Sequence, residues 1–129
     1  MKKRNPKNSY LSKWVGDIFH IYDFVFQQNF YFIPAKNEEE FRKKCKKQLG
    51  KIEFKEELDN DKDGGFSVYQ QNGAPVCFLW AHTPRHIIHE CWHAVSWTLR
   101  KKGINLTDDS DEAFAYLLGF LTEQILKVI

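Results

Sequence analysis

The feature that most constrains this chain is the pattern His89-Glu90-x-x-His93. Side chains four residues apart lie on one face of a helix, so a helix here would direct both imidazole rings at one point. Neutral imidazole is a good ligand for zinc, and two such ligands at this spacing predict a zinc site. Glu90 follows the first ligand and is predicted to act as a general base on water at that site. The alternative is that both histidines cap a helix or pack beside aromatic side chains without a metal.

The residues around the pattern favour a helix. Thr83 suits the N-cap, Pro84 suits the first helical position, and Gly103 can adopt the left-handed conformation that ends a helix. The continuously apolar residues 76–80 predict a strand, buried on both faces, that leads directly into this helix. The helix has a broad apolar face, formed by Ile87, Ile88, Cys91, Trp92, Val95 and Leu99.

Length and composition predict one folded domain. The chain has 129 residues, of which 43% are hydrophobic and 16% aromatic, and its net charge is +2. We expect a flexible basic tail at residues 1–9 and a single domain at residues 10–129. The three cysteines have no disulfide-like spacing, which favours free thiols in a reducing compartment. No signal peptide or membrane span is apparent, so a cytoplasmic protein is expected.

The remaining segments predict an α+β fold with a small antiparallel or mixed sheet. Residues 10–22 have apolar side chains at helical spacing and predict a short helix, followed by extended chain with its best strand at 30–33. Residues 37–49 predict a helix that begins at a capping box, ends at Gly50 and turns Phe41, Cys45 and Leu49 towards the sheet. The Asn72-Gly73 pair predicts a hairpin turn between two strands.

Residues 51–65 predict a charged connector with a short strand at 52–54. Within it, residues 59–64 match the front of a calcium-binding loop. The twelfth position of that loop would be Gln70 instead of a bidentate glutamate, so calcium binding is not favoured.

The last helix opens with an acidic run and supplies the candidate third ligand, Glu112. A catalytic zinc site usually has three protein ligands, and packing of this helix against the motif helix could bring the Glu112 carboxylate to the metal. Asp109 and Glu112 also form a capping-box pattern that needs no metal. Asp111 or Asp109 remain alternatives, either as the ligand or as a hydrogen-bond partner that orients a histidine. An apolar stripe continues the helix, formed by Phe114, Leu117, Leu118, Leu121, Ile125 and Val128.

Residues 89–95 together with residues 111–119 resemble the small HExxH proteins encoded by bacteriophages and prophages. Those proteins look like minimal gluzincins, the zinc peptidases whose third ligand is a glutamate on a following helix. The resemblance covers residues 64–129 well and the N-terminal half loosely. It implies a zincin-like core, with His89, His93 and Glu112 as ligands and Glu90 as base. Little of the chain is left for a second subdomain that would wall a cleft.

The predicted activity is zinc-dependent hydrolysis of a peptide or protein substrate, in the host cytoplasm if the chain is phage-encoded. Glu90 would take a proton from the attacking water and pass it to the leaving amine. An oxyanion donor is also needed, and Tyr116 is the first candidate, before His86 and His82. The alternative, that Tyr116 is a core aromatic with a satisfied hydroxyl group, is the favoured interpretation. An edge strand of the hairpin could bind an extended peptide.

Two other functions remain open. One is a zinc-binding domain without catalysis that binds a protein partner. The other is a nucleic-acid-binding accessory protein that uses the basic tail and the cationic side chains of residues 42–47. The near-neutral net charge makes a nucleic-acid partner the least favoured, and a solvated helix face explains residues 42–47 more simply.

Overall fold

The computed structural model describes residues 12–129 and has an α+β fold. Six strands and three helices follow one another in the described chain. In chain order they are β1 Ser12–Val15, β2 Ile18–Asp23, β3 Gln28–Pro34, α1 Glu38–Leu49, β4 Glu56–Asn60, β5 Gly64–Gln71, β6 Ala74–Ala81, α2 Pro84–Lys101 and α3 Asp111–Leu126. The predicted α+β fold class with a mixed sheet is confirmed.

All six strands form one mixed sheet in the order β1-β2-β3-β6-β5-β4. Neighbouring strands are antiparallel except β3 and β6, which are parallel and lie at the centre. Strand β4 is therefore an edge strand, paired with β5 on one side only among the described residues. Both strands of the predicted hairpin, β5 and β6, are internal to the sheet, so the expectation that one of them is an edge strand is wrong.

Helices cover the sheet on both faces. On one face, α2 and α3 pack on a core that includes Phe66 and Val68 of β5 and Leu79 of β6. On the other face, α1 packs through Phe41 and Cys45. Residues 76–80 of β6 are all buried because they contribute alternately to both cores, which confirms the predicted doubly buried strand.

The local signals for turns and caps are confirmed. Asn72 and Gly73 have φ values of 53° and 82°, as the tight turn between β5 and β6 requires. The Thr83 side chain accepts a hydrogen bond from the His86 backbone N–H at the start of α2. At the start of α1, the Asn37 side chain accepts one from the Glu40 backbone N–H at 2.9 Å.

The prediction of a short helix at residues 10–22 is wrong for the part that the structure describes. Residues 12–15 and 18–23 are strands β1 and β2, paired antiparallel, with Val15 opposite Ile18. The best predicted strand, residues 30–33, is confirmed within β3. The predicted basic tail, residues 1–9, lies outside the described residues.

Three further expectations are corrected. The predicted strand at residues 52–54 is irregular chain, and the strand lies at β4 instead. Leu49 is 38% exposed at the end of α1, so it does not face the sheet. Ile88 and Trp92 are 44% and 37% exposed, so the buried face of α2 is narrower than predicted. No helix in residues 12–129 is long and apolar enough to cross a membrane.

The cationic side chains of residues 42–47 are partly used in ion pairs. Arg42 pairs with Glu38 at 2.8 Å and also with Glu57 on β4. Lys44 pairs with Glu40 at 3.1 Å and donates to the Pro34 carbonyl at 2.6 Å. These contacts fit the simpler interpretation of a solvated helix face.

Candidate metal centre

Helix α2 brings the two histidines of the motif together, as their spacing predicts. The Nε2 atoms of His89 and His93 are 3.1 Å apart, and the two rings meet edge to face with their centroids 4.8 Å apart. Both side chains remain accessible, with 55% of His89 and 38% of His93 exposed. The two nitrogen atoms therefore converge on one point at the surface of the helix.

Strand β4 supplies a third donor, Asp59. Its Oδ2 atom lies 3.5 Å from Nε2 of His89 and 3.7 Å from Nε2 of His93. The same oxygen is buried and has no hydrogen-bond partner among the described residues. A buried carboxylate oxygen between two imidazole nitrogens is the arrangement that a cation would satisfy.

A β-bulge at Leu58 turns Asp59 towards α2. Glu57 pairs with Ser67, but the next pair along the ladder is Asp59 with Phe66, which leaves Leu58 as the extra residue. Side chains alternate between the faces of a regular strand, so without the bulge Asp59 and Glu56 would face opposite ways. Glu56 accepts a hydrogen bond from Nε1 of Trp97 on α2 at 2.9 Å, which fixes this face of β4 against the helix.

Glu90 completes a group of four side chains whose potential ligand atoms lie within 4.8 Å of one another: Asp59, His89, Glu90 and His93. The Glu90 side chain is 1% exposed, and its Oε1 atom has no hydrogen-bond partner within residues 12–129. Burial, a hydrogen bond with the Asp59 carboxyl group and the charges of Asp59 and Asp61 together raise the pKa of Glu90 to about 9, and burial is the largest of these causes.

Gly64 is the residue that allows Glu90 to lie this close to β5. A Cβ atom on Gly64 would be 2.7 Å from Oε2 of Glu90 and 3.2 Å from the Trp80 carbonyl oxygen. A backbone oxygen cannot move aside easily, so any larger residue at Gly64 would displace the Glu90 carboxylate. The strand, as well as the helix, therefore positions the predicted base.

The three converging donor atoms fit a small divalent cation. Nitrogen and oxygen ligands at about 2.05 Å from a tetrahedral zinc ion are about 3.4 Å apart. The distances measured here are 3.1, 3.5 and 3.7 Å, on either side of that value. A triangle with these sides has a circumscribed radius of about 2.0 Å, so one point lies about 2.0 Å from all three donors.

The predicted third ligand, Glu112, is not part of this group. It is the second residue of α3, its side chain is exposed, and Asp111 beside it is exposed as well. The N-cap of α3 is Ser110, which makes no side-chain capping bond, so the alternative capping box from Asp109 is not formed. Asp59, which the sequence argument considered only as part of a calcium loop, takes the place beside the histidines.

The predicted oxyanion donor Tyr116 contacts a different part of the sheet. Its hydroxyl donates to Oδ1 of the buried Asp23, at the end of β2, at 2.9 Å. Four interstrand spacings, about 19 Å at ~4.8 Å each, separate β2 from β4. A role for Tyr116 in oxyanion binding would require the hydroxyl to leave Asp23.

The other two candidate donors lie near the N-terminus of α2. His86 is within 2.6 Å of the Thr83 hydroxyl through Nδ1 and 3.7 Å from Asp63 through Nε2. His82 borders a cavity on the α1 side of the sheet, together with Ala35 and Lys44. His86 lies on α2 one helical turn before His89, whereas His82 precedes the helix, so His86 is closer to the donor group along the chain.

Cys91 faces away from the candidate metal centre, as its position on the helix predicts. It is fully buried in the core between α2, α3 and the sheet. Cys45, Cys77 and Cys91 are all free and buried. Burial raises the pKa of each thiol, so none of them is a ready metal ligand.

Comparison with known proteins adds no further constraint. No family model, curated protein or solved structure matches this chain.

Proposed function

We propose that this protein is a zinc-dependent peptidase with a zincin-like core, in which His89, His93 and Asp59 hold the ion and Glu90 is the base. The observation that carries the proposal is the triangle of donor atoms beside a buried carboxylate with an unpaired oxygen. Two imidazoles and one carboxylate form a common catalytic zinc set, which leaves one position for water. The three free cysteines fit a location in the reducing cytoplasm.

Glu90 has the reach and the environment for proton transfer. When bound, zinc supplies Lewis-acid activation of water and of a peptide carbonyl. A nearby cation also lowers the pKa of Glu90, which burial otherwise raises, so the carboxylate can accept a proton near neutral pH. Glu90 then passes this proton to the leaving amine. Gly64 keeps the carboxylate directed at the donor group because no side chain intervenes.

The edge strand β4 offers a place for an extended substrate. Its outer edge is unpaired among the described residues, and Asp59 lies on that same strand. A peptide that adds to the edge as a further strand would pass directly beside the donor group. This arrangement supports a peptide as the substrate class.

The proposed ligand set differs from that of the gluzincins in its third member. Their third ligand is a glutamate on a helix after the motif helix, whereas Asp59 is an aspartate on a strand before it. A site with Asp59 would therefore be a variant of the small phage HExxH proteins, and a site with Glu112 would match them.

Metal content of the purified protein tests the ligand set. We expect about one zinc per chain in the wild type and in Glu112→Ala, and loss of zinc in Asp59→Ala. Glu112→Ala is the matched control because it removes a carboxylate outside the donor group. The opposite result, loss only in Glu112→Ala, would assign the third ligand to Glu112. Absence of zinc from the wild type, even after zinc is added, would refute the site.

Hydrolysis of a mixed peptide library tests the activity. Glu90→Gln should keep zinc and lose hydrolysis, because the amide cannot accept the proton. Hydrolysis that persists in Glu90→Gln would refute its role as base. Zinc binding without any hydrolysis by the wild type would favour the alternative of a non-catalytic zinc domain, in which the ion ties the edge strand β4 to α2.

A further inference from the structure

A groove between β4 and α2 opens beside His93. Its volume is about 280 Å³. Besides His93, it is lined by Leu58, Phe66, Ser96, Trp97, Arg100 and Lys101. It therefore begins at the candidate metal centre and runs towards the C-terminal end of α2.

The groove contains a buried hydroxyl group without a partner. Ser96 is 5% exposed, and its Oγ atom makes no hydrogen bond to any described residue. A serine inside a helix usually bonds to the carbonyl oxygen one turn earlier, so an unpaired and buried hydroxyl carries a free-energy cost. A polar group of a ligand lying in the groove would remove that cost.

The far end of the groove is cationic. The guanidinium group of Arg100 is exposed and makes no ion pair or side-chain hydrogen bond among residues 12–129. The Lys101 ammonium group lies over the Trp97 ring, 5.7 Å from its centroid. Its Nζ atom is 4.0 Å from Oε1 of Glu56, which makes a long ion pair. The two positive charges of Arg100 and Lys101 together exceed the negative charge of Glu56 and the partial negative charge of about one half at the C-terminus of a helix.

We propose that this groove is a substrate subsite for a peptide segment with an acidic side chain about three residues from the cleaved bond. The apolar surface of Leu58 and Trp97 would contact a bulky side chain between these two points. His93 and Arg100 are seven residues apart on α2, about 10 Å along the axis, which three extended residues span at about 3.4 Å each. This inference rests on the proposed peptidase function and names its substrate class.

Peptide binding to zinc-loaded Glu90→Gln protein tests the subsite without turnover. The probes are fluorescein-labelled nonapeptides with a central leucine and with glutamate, glutamine or lysine three residues before or after it. With the charged residue at one of the two positions, either before or after the leucine, the glutamate peptide should bind about tenfold tighter than the corresponding lysine peptide, as measured by fluorescence anisotropy. Equal affinities, or no binding by any peptide, would overturn the proposal.

Charge reversal within the groove identifies where the preference arises. Arg100→Glu with Lys101→Glu, introduced into Glu90→Gln, should reverse the preference to lysine. The matched control is Lys46→Glu with Lys47→Glu on α1, which covers the other face of the sheet and should leave the preference unchanged. A preference that the α1 variant removes and the groove variant does not would overturn the proposal.

Two further measurements separate this proposal from the peptidase function. Ser96→Ala should weaken binding of the preferred peptide severalfold, whereas a hydroxyl with a purely structural role would leave binding unchanged. Wild-type hydrolysis without an acidic preference would refute the subsite and leave the peptidase function standing. Selective binding without wild-type hydrolysis would refute the peptidase function and leave an acidic-peptide groove.

Discussion

Replacement of Glu90 by glutamine should stabilise the metal-free protein above about pH 5. The side chain is 1% exposed, and burial is the largest cause that raises its pKa from 4.5 to about 9, before the contributions of Asp59 and Asp61. The folded protein therefore holds a proton on Glu90 over a pH range in which the unfolded chain releases it. A glutamine of the same shape has no proton to release.

The magnitude follows from the difference in pKa between the two states. Below pH 4.5 Glu90 is protonated in both the folded and the unfolded protein, so it adds no pH dependence to the free energy of unfolding. Between pH 4.5 and about 9, the contribution of Glu90 lowers the free energy of unfolding by about 1.4 kcal/mol for each unit of rising pH. At pH 7 the accumulated loss is about 3 kcal/mol, a large part of the stability of a domain of this size.

Urea unfolding in the presence of EDTA measures this effect. Between pH 5 and pH 7, the stability of Glu90→Gln relative to wild type should increase by about 2–3 kcal/mol. The control is Glu53→Gln, an exposed carboxylate in the irregular segment before β4, whose profile should run parallel to that of the wild type. A Glu90→Gln profile that also runs parallel to the wild type would refute the assignment of a protonated, buried Glu90.

Three other changes have defined outcomes. Deletion of Leu58 should remove the bulge but leave Asp59 opposite Phe66, on the face of β4 that meets α2, so zinc binding should persist in equilibrium dialysis, and binding at least about tenfold weaker would show that the bulge itself shapes the site. Gly65→Ala would place a Cβ atom 2.2 Å from Nε1 of Trp80 and should lower the free energy of urea unfolding by about 1–3 kcal/mol, and an unchanged value would contradict the close packing. Burial raises the pKa of Cys77 to about 12, so its thiol should react with a disulfide reagent only after unfolding, and rapid reaction of the native protein would show that the core opens.

The elements that could be predicted are those with local signals. The Asn72-Gly73 turn and the caps of α1 and α2 depend on side chains within a few residues of each other, and all of them are found as expected. The helix α2 also determines the approach of His89 and His93, since helical geometry alone brings positions four apart together.

The sequence does not predict the hairpin of β1 and β2 because the spacing of its apolar residues fits both a helix and a strand. Trp14, Ile18 and Tyr22 are four residues apart, and a multiple of two also satisfies the alternation of a strand. The Gly16-Asp17 pair is a two-residue hairpin signal, and β1 and β2 meet around it, with Gly16 at φ 60°. A two-residue turn signal at this position favours two paired strands over a helix.

Local sequence does not identify Asp59 as a candidate ligand. It stands in an acidic stretch that resembles a solvated loop, and only the bulge at Leu58 turns it towards α2. A bulge depends on how β4 pairs with β5, and nothing near Leu58 in the chain indicates where the extra residue falls. The sequence favours Glu112 instead because this acidic residue lies shortly after the motif, although the fold leaves its side chain exposed.

The parallel pairing of β3 and β6 has a consequence for the order in which this protein folds. The Gln28 side chain donates to the Pro75 carbonyl oxygen across a separation of 47 residues, so the centre of the sheet closes a long loop. Loop-closure entropy delays such contacts relative to the local pairing of β4, β5 and β6. Asp59, Glu90 and both histidines all belong to the continuous segment from β4 to α2. We therefore expect this segment to form a metal-competent nucleus on which β1–β3 dock, so that an ion bound at this stage would speed folding more than it slows unfolding.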